Sequence, residues 1–507
     1  MGRGTFIAVL LAAQVAFAAK PPLPYLGSTG RTVMDPTSPL FQQRLVQLSR
    51  RRSALLRVTG GLARLPATSL KTALGLPGAF HYYDRAFVEA TPDIPPLLQH
   101  QIKRLRGAKP FANHHVLFVG HGYSDAVPWV ETFLAAGANP LKTTFLPTNY
   151  GFHTAVADQL TYRGVLVHEF AMGPQDQARY EEVVEAHIGR ILRAAARTHE
   201  PVLIMDDGGV ATRIVAEKFP KHAHRVTIIE QTDAGHRRTL ERLQQGGTLP
   251  FNYWSMARDW VKREVTSPRF AGRVVDRVYA HLDVNQLPLR ELSAVVVGGG
   301  GAMGLPAAVR LRKDGFRVRI IEKDLKSENA QRARAAGFTD IVELTDGHEL
   351  AGHSLILGMT GEAVIGPQHM QHVDDGAVFA QGSSKRREFD MPGMERALNK
   401  IESPFTGMPT SRQYWLGSKS FHFLLDGWTV NHANTFHGTP MRDLQLELAT
   451  YFETALAAVR TPGASRTQIH ELPERRQRVL ERLDRMTRDK IPESTTPPSV
   501  NPFDRIY

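Results

Sequence analysis

The run Gly299-Gly300-Gly301-Ala302-Met303-Gly304 has the spacing G-x-G-x-x-G. Such a run becomes chemically meaningful when it follows a strand and opens a helix. Ala294–Val297 is a short β-branched run just before it, and Leu305–Asp314 has helical character just after it. In that setting Gly299 permits the tight turn, Gly301 lets the backbone approach a pyrophosphate, and Gly304 lets helix and strand pack closely. The helix start adds free N–H donors and a positive dipole end, so Gly300, Ala302 and Met303 are expected to line the same cradle. Glu322 closes the next strand, Arg317–Ile321, and lies 18 residues beyond Gly304, close to the usual spacing of about 20. A carboxylate there accepts from ribose hydroxyls and repels a 2′-phosphate, which favours NAD over its phosphorylated relative, a preference Lys323 tempers. Two other readings stay open at this point: an S-adenosylmethionine-type nucleotide, and a glycine-rich turn with no ligand.

Further polar groups sit where strands end. His121 lies in Gly120-His121-Gly122 after the apolar run Val116–Val119, and Asp206-Asp207 follow Val202–Met205. Loops at the C-terminal ends of parallel strands are where open α/β sheets bind ligands. The plainer reading of Asp206-Asp207 is a pair of turn carboxylates capping the next helix. Lys262 falls in a mixed-charge stretch and reads as surface. His114 and His115 are adjacent and on a strand would face opposite ways, while the spacing of His432, His437 and Asp443 fits no standard ligand pattern, so no metal site is expected.

Strands Thr143–Leu146, Gly164–Val167 and Val226–Ile229 alternate with helical stretches Val127–Ala136, Gln177–Arg197 and Ala234–Gln245. Downstream, Asn329–Ala336 reads as helix and Ile341–Glu343, Leu355–Leu357 and Ala377–Ala380 as strands. Alternation of this kind argues for parallel sheets covered on both faces. The expected fold is α/β with two doubly wound parallel-sheet domains, the second a Rossmann NAD-binding domain. The chain has 507 residues, 42% hydrophobic and 22% charged, enough for two or three domains. Residues 1–33 read as a leader and linker, 34–265 as a substrate-type domain completed by about 437–462, 266–436 as the Rossmann domain, and 463–507 as a charged helix with a Pro-rich arm. That helix, Glu471–Arg488, carries a narrow stripe of Leu472, Val479, Leu480 and Leu483; it reads as a solvated helix or as an arm for a partner subunit.

The net charge is +12 and the pI about 9.8. The basic residues are scattered without interleaved aromatics, so no nucleic-acid partner is expected. With no cysteine, disulfides, zinc–thiolate sites, iron–sulfur clusters and thiol nucleophiles are excluded. Arg3, the apolar run Phe6–Ala18 and the small residues around Ala16 have the layout of a secretory signal peptide, too short for a comfortable membrane span. Export is therefore one expectation, although only one Arg is present for a twin-arginine route. No stable membrane insertion is expected.

Several segments resemble the adenosylhomocysteinase family, in the family's order, from about residue 115 to 460. Ser293–Thr345 resembles its NAD-binding region. Met205-Asp206-Asp207-Gly208-Gly209 is similar to Leu-Asp-Asp-Gly-Gly, and Glu230-Gln231-Thr232-Asp233-Ala234-Gly235 stands where the family has Glu-Glu-Thr-Thr-Thr-Gly. Gly120-His121 with Val130-Glu131-Thr132 resembles the His-Met-Thr segment and its helix, and Leu425–Asn431 the Leu-Val-Asn segment. The resemblance implies a nucleoside-type thioether substrate, a cytoplasmic address and at least a dimer. It also implies a mechanism in which NAD oxidises a ribose 3′-hydroxyl, the ketone acidifies the adjacent hydrogen, the thiol leaves, water adds and the ketone is reduced again. By position it implies catalytic roles for His121, Asp207 and Lys262, substrate contacts for Tyr123, Asp125, Gln231 and His437, and cofactor contacts for Thr232, Asp233, Gly299–Gly304, Glu322, Thr360, Ser383 and Asn431.

The chain departs from the family at several of these places. The second Glu of Glu-Glu is Gln231, which cannot act as a charged acceptor. Gly382-Ser383 replaces Gly-His, Thr266 stands where the family has an aspartate, and the end, Phe503–Tyr507, keeps a Tyr but lacks the Lys. Three functions follow as expectations: an adenosylhomocysteinase-like enzyme with a degenerate catalytic set, a catalytically inactive NAD-binding regulator or scaffold, and another NAD-dependent oxidoreductase.

Overall fold

The computed structural model describes residues 93–152, 154–168, 177–383, 386–400, 411–430 and 439–491. The leader and linker, His437, Asn431 and the final arm lie outside the described residues.

The first sheet comprises β1 (His115–Gly122), β2 (Thr143–Phe152), β3 (Leu166–Val167), β4 (Val202–Asp206), β5 (Val226–Glu230) and β6 (Asn252–Ser255). Its order is β3-β2-β1-β4-β5-β6, and all its pairings are parallel. The helices that cover it include α1 (Pro96–Arg104), α2 (Ala126–Ala135), α3 (Thr154–Tyr162), α4 (Gln177–Thr198), α5 (Val210–Lys218) and α6 (Asp233–Gln244). Val116–Val119 and Val202–Met205 are almost wholly buried, as strands covered on both faces must be.

A long helix, α7 (Ser267–Val284), leads to the second sheet. There β7 (Ser293–Val297) is followed by α8 (Gly304–Lys313), β8 (Arg317–Ile321), α9 (Glu328–Ala335), β9 (Ile341–Val342), β10 (Leu355–Gly358), β11 (Ala377–Gln381), α10 (Met391–Ala397), β12 (Asn399–Lys400), β13 (Ser411–Leu416) and β14 (Lys419–Leu424). The order is β12-β13-β14-β11-β10-β7-β8-β9. Strands β14-β11-β10-β7-β8-β9 are parallel, and the hairpin β13–β14 with β12 adds an antiparallel edge. An antiparallel edge is common on otherwise parallel sheets.

Without β12 and β13, the second sheet follows the same doubly wound order as the first. Each reverses direction between its first and fourth strand, β1/β4 in one and β7/β10 in the other. Ligands of such sheets bind in the crevice beyond the carboxyl ends of the strands at that reversal.

The chain then returns to the first sheet through α11 (Met441–Arg460). Leu446, Ala449, Tyr451, Phe452 and Ala455 of this helix share one apolar cluster with Leu97, Val116, Phe118 and Met205. The Tyr451 ring stacks on Trp129 at 5.0 Å. Its hydroxyl reaches the carbonyls of Asp206 at 3.1 Å and Ile229 at 2.9 Å, so α11 is fastened to the carboxyl ends of β4 and β5.

The last described helix, α12 (Glu474–Thr487), packs on its own chain. Asp484 is fully buried and accepts from Arg269 at 2.9 Å and Gln445 at 2.9 Å. Arg488 donates to Asp443 at 2.7 Å. Of the expected apolar stripe, Leu472 and Leu480 are buried and Leu483 packs against the same cluster, whereas Val479 is 40% exposed. Buried carboxylates paired to arginines seat the helix beside the leucines.

Candidate functional site

Two residues flank the reversal point of the first sheet, His121 at the end of β1 and Asp207 just past β4. His121 Nε2 lies 3.5 Å from Asp207 Oδ2, and the same oxygen accepts from Gln231 Nε2 at 2.7 Å. His121 Nδ1 is 3.2 Å from the Thr148 hydroxyl, and the Tyr123 ring stacks on the imidazole at 5.9 Å. The imidazole is thus held on two sides by groups from three different strand ends.

The local sequence explains the arrangement. The β1–β2 register breaks between Gly120 and Gly122, which pair with Pro147 and Phe152; such an irregularity re-aims side chains beside a site. Gly151 sits in the resulting bend, where a Cβ would overlap the His121 ring and stand 2.9 Å from Thr148 Oγ1 and 3.1 Å from the Tyr123 hydroxyl. Only glycine leaves room for all three.

After β4, Gly208 and Gly209 have φ of 87° and 70°, and the chain swings into α5. This turn divides the work of the two aspartates. Asp206 faces inward and caps α5, accepting from the Thr212 amide and hydroxyl, each at 2.7 Å. Asp207 faces His121. The capping reading thus describes Asp206, and the cleft reading describes Asp207. Burial raises the Asp206 carboxyl above its ordinary range, against the lowering effect of the Thr212 bonds. Glu230, fully buried at the end of β5, accepts from the Thr232 amide and hydroxyl at 2.7 Å. Burial, with Asp206 nearby, holds it well above the usual carboxylate range.

Thr232 spends its hydroxyl on Glu230 and on the amides of Gly208 and Gly235, at 3.1 and 3.2 Å. Asp233 is half-exposed and paired with Arg258 at 2.7 Å and Arg237 at 3.0 Å. Lys262, in a π-helical turn ahead of α7, is bound to Glu447 of α11 at 2.5 Å. That corrects the surface reading: its side chain is 21% exposed. Tyr123 is buried. The Asp125 carboxyl, half-buried nearby, is pushed up to about 7, chiefly by burial and further by Glu447.

At the reversal point of the second sheet the glycine turn opens α8. A Cβ at Gly304 would overlap the Gly298 carbonyl, and one at Gly299 would stand 2.9 Å from Ile320 and from the Val296 carbonyl. Gly301, Ala302 and Met303 stay half-exposed on the open side, at the N-terminal end of α8. Glu322 is buried beside the turn, and its Oε1 accepts from the Gly300 amide at 2.6 Å. Thr360, after β10, donates to Glu388 at 2.7 Å, and Gly361 donates to the same carboxylate at 2.6 Å. Ser383, after β11, has a buried hydroxyl.

The two sets of strand ends meet. Arg237 of α6 bridges to Glu362 beside Thr360 at 2.8 Å, and Arg263 bridges to Glu328 at the head of α9 at 3.2 Å. A dinucleotide fits the second wall: the glycine cradle has no room for side chains behind it, a helix N-terminus stands in it, and a buried carboxylate closes its far edge.

Three groups carried no sequence signal. Thr148 and Gly151 lie on a strand that continues past Pro147, where strand patterning stops. Arg277 of α7 is buried, its Nη1 has no hydrogen-bond partner, and it is close enough to Tyr123 to act on it electrostatically.

One residue of this region makes stability depend on pH. Asp259, 1% exposed after β6, is pushed up to about 8 by burial and then by Glu471, against a smaller lowering effect of the Gln477 side chain. Folded, it is protonated at neutral pH; unfolded, it ionises near 4. Stability is therefore full below about 4 and is lost as pH rises to about 8. Asp259→Asn stays neutral in both states. It should gain on the order of 5 kcal/mol at pH 8 and almost nothing at pH 4. Urea unfolding at the two pH values checks this, and an equal gain at both would contradict it.

No family model matches the chain. It is 23% identical over 380 residues to the adenosylhomocysteinase of Saccharolobus solfataricus, covering 75% of this chain and 85% of that protein. It is 24% identical over 383 residues to the adenosylhomocysteinase of Archaeoglobus fulgidus, covering 75% and 88%. It is 26% identical over 366 residues to the S-inosyl-L-homocysteine hydrolase of Methanopyrus kandleri, covering 72% and 81%. Among solved structures, a dipicolinate synthase subunit from Bacillus subtilis aligns at 11% identity over 68% of this protein and 97% of that one, with a TM-score of 0.32. A D-isomer-specific 2-hydroxyacid dehydrogenase of Lactobacillus delbrueckii aligns at 12% over 56% and 75%, with a TM-score of 0.27.

Proposed function

We propose that this chain, a diverged relative of the adenosylhomocysteinases, holds NAD on its second sheet and acts on the thioether of an S-nucleosyl-homocysteine in the cleft between the sheets. The observation that carries the reading is the His121–Asp207–Gln231 group at one reversal point and the glycine turn at the other, in sheets joined near their strand ends by the Arg237–Glu362 and Arg263–Glu328 bridges.

In the bound state NAD supplies reversible hydride removal from a ribose carbon, which acidifies the neighbouring C–H. The chain's own residues do the rest. Glu322, already at the Gly300 amide, offers its second oxygen to the adenosine ribose of the cofactor. His121 sits between a hydroxyl and a carboxylate, so it can take up or release a proton at Nε2 while Asp207 stabilises the charged ring. Gln231 donates to Asp207 and fixes its rotamer. Arg277 brings a buried guanidinium with an unused N–H, suited to the carboxylate of an amino-acid tail.

A second reading, a binding protein without turnover, has its own support. Lys262 is committed to Glu447, the neighbouring Thr266 carries no charge, and Gln231 is an amide.

The test releases the cofactor by denaturation, identifies it by mass, and assays the native protein with S-adenosyl- and S-inosyl-homocysteine for homocysteine. NAD together with thiol release establishes the enzyme. NAD without release from either thioether selects the binding reading. Absence of any nucleotide overturns both.

A further inference from the structure

Outside the cleft, two short turns of the second domain, His348–Leu350 before β10 and Pro367–His372 before β11, pack against each other. They bring together residues that are far apart in sequence. One ligand atom from each of Asp346, His348 and His372 lies within 4.8 Å of the other two. His348 Nε2 is 3.7 Å from Asp346 Oδ2, and the two imidazole rings are 3.7 Å apart between centroids.

The backbone that presents them is anchored. Leu350 and Met370, one from each turn, are fully buried in the domain core. Gly347 has φ of 105°, and a Cβ there would stand 2.8 Å from the His369 backbone, so only glycine lets the turns approach this closely. His369 Nδ1 accepts from the Gly366 amide at 3.0 Å, and Asp346 Oδ1 accepts from the His348 amide at 3.2 Å. Asp346 and His348 are exposed and His372 is half-buried, so ions in solution can reach them.

From this geometry we propose that Asp346, His348 and His372 bind one divalent first-row transition-metal ion, with water completing the coordination. Ligands about 2.0–2.1 Å from a tetrahedral ion stand roughly 3.3 Å apart. The His348–Asp346 pair is already near that spacing, and exposed side chains close the remainder by rotation. The Gln371 amide now sits 2.9 Å from His372 Nε2; it swings aside, or the ion takes Nδ1. Two imidazoles and one carboxylate suit zinc, cobalt, nickel or copper, whereas calcium and magnesium require more oxygen ligands. The bound ion staples the two turns.

The test uses the full chain without a polyhistidine tag, stripped by chelator. Co²⁺ is followed by visible d–d absorption and Zn²⁺ by calorimetry. One ion should bind, His348→Ala and His372→Ala should each abolish that binding, and Asp346→Asn should weaken it at least about tenfold. The substituted side chains are exposed or half-buried, and circular dichroism verifies that each variant is folded. Absence of binding by the parent, or unchanged stoichiometry in the folded double variant His348→Ala/His372→Ala, overturns the assignment.

Discussion

Gly301→Ala should fold as the parent does and lose its dinucleotide. A Cβ at Gly301 meets nothing nearer than the Gly298 carbonyl at 3.2 Å, so the protein itself accepts a methyl there with a small adjustment. What the methyl obstructs is the open, half-exposed side of the turn, where a pyrophosphate would lie against bare backbone. Pushing the phosphates back by about an ångström costs one or two charge-assisted hydrogen bonds, about 2–3 kcal/mol, or roughly 30- to 150-fold in affinity. Gly300→Ala provides the contrast. Its Cβ would overlap the Asn329 carbonyl, with the carbonyl carbon at 2.6 Å and Glu322 Oε1 at 3.0 Å, so it should destabilise the second domain whether or not ligand is present. NAD titration and thermal unfolding of both variants separate the two effects. A Gly301→Ala protein that keeps parental NAD occupancy would remove the dinucleotide from this turn.

The second large effect is expected at Asp207. Asp207→Asn preserves shape, and its carbonyl oxygen can still accept from Gln231. It loses the charge facing His121 Nε2. Removing one member of a proton-transfer set costs about 10²–10⁴-fold. Turnover should fall by that factor while NAD content and unfolding temperature stay near parental values. If turnover persists, His121 works without the carboxylate and Asp207 is structural. Asp206→Asn should behave oppositely, because Asp206 is buried against the α5 amides and serves the fold.

How much of this was legible depended on how local the signal was. The glycine turn, its strand and helix, and Glu322 belong to one contiguous unit, and Gly299, Gly300 and Gly304 are each demanded by neighbours within about thirty residues. The strand ends at His121 and Asp207 were visible for the same reason. Strand β6, α7 and the β13–β14 hairpin were not assigned from sequence. Asn252–Ser255 is short, and the hairpin is half-exposed with mixed patterning. Partners supplied from afar were invisible. Glu447 reaches Lys262 from 185 residues away. The same blindness hid Asp346, His348 and His372, whose spacing resembles no ligand motif.

The way α11 is fastened also sets the order in which a nascent polypeptide can finish folding. The first sheet is complete by Ser255, but its apolar face is sealed by Leu446, Tyr451 and Phe452, which lie beyond the whole second domain. At about 5–20 residues per second, roughly 10–40 s separate synthesis of that sheet from synthesis of its cover. The second domain, encoded without interruption, can close first. On stalled ribosomes, protection from protease should therefore appear in 293–424 before it appears in 115–255.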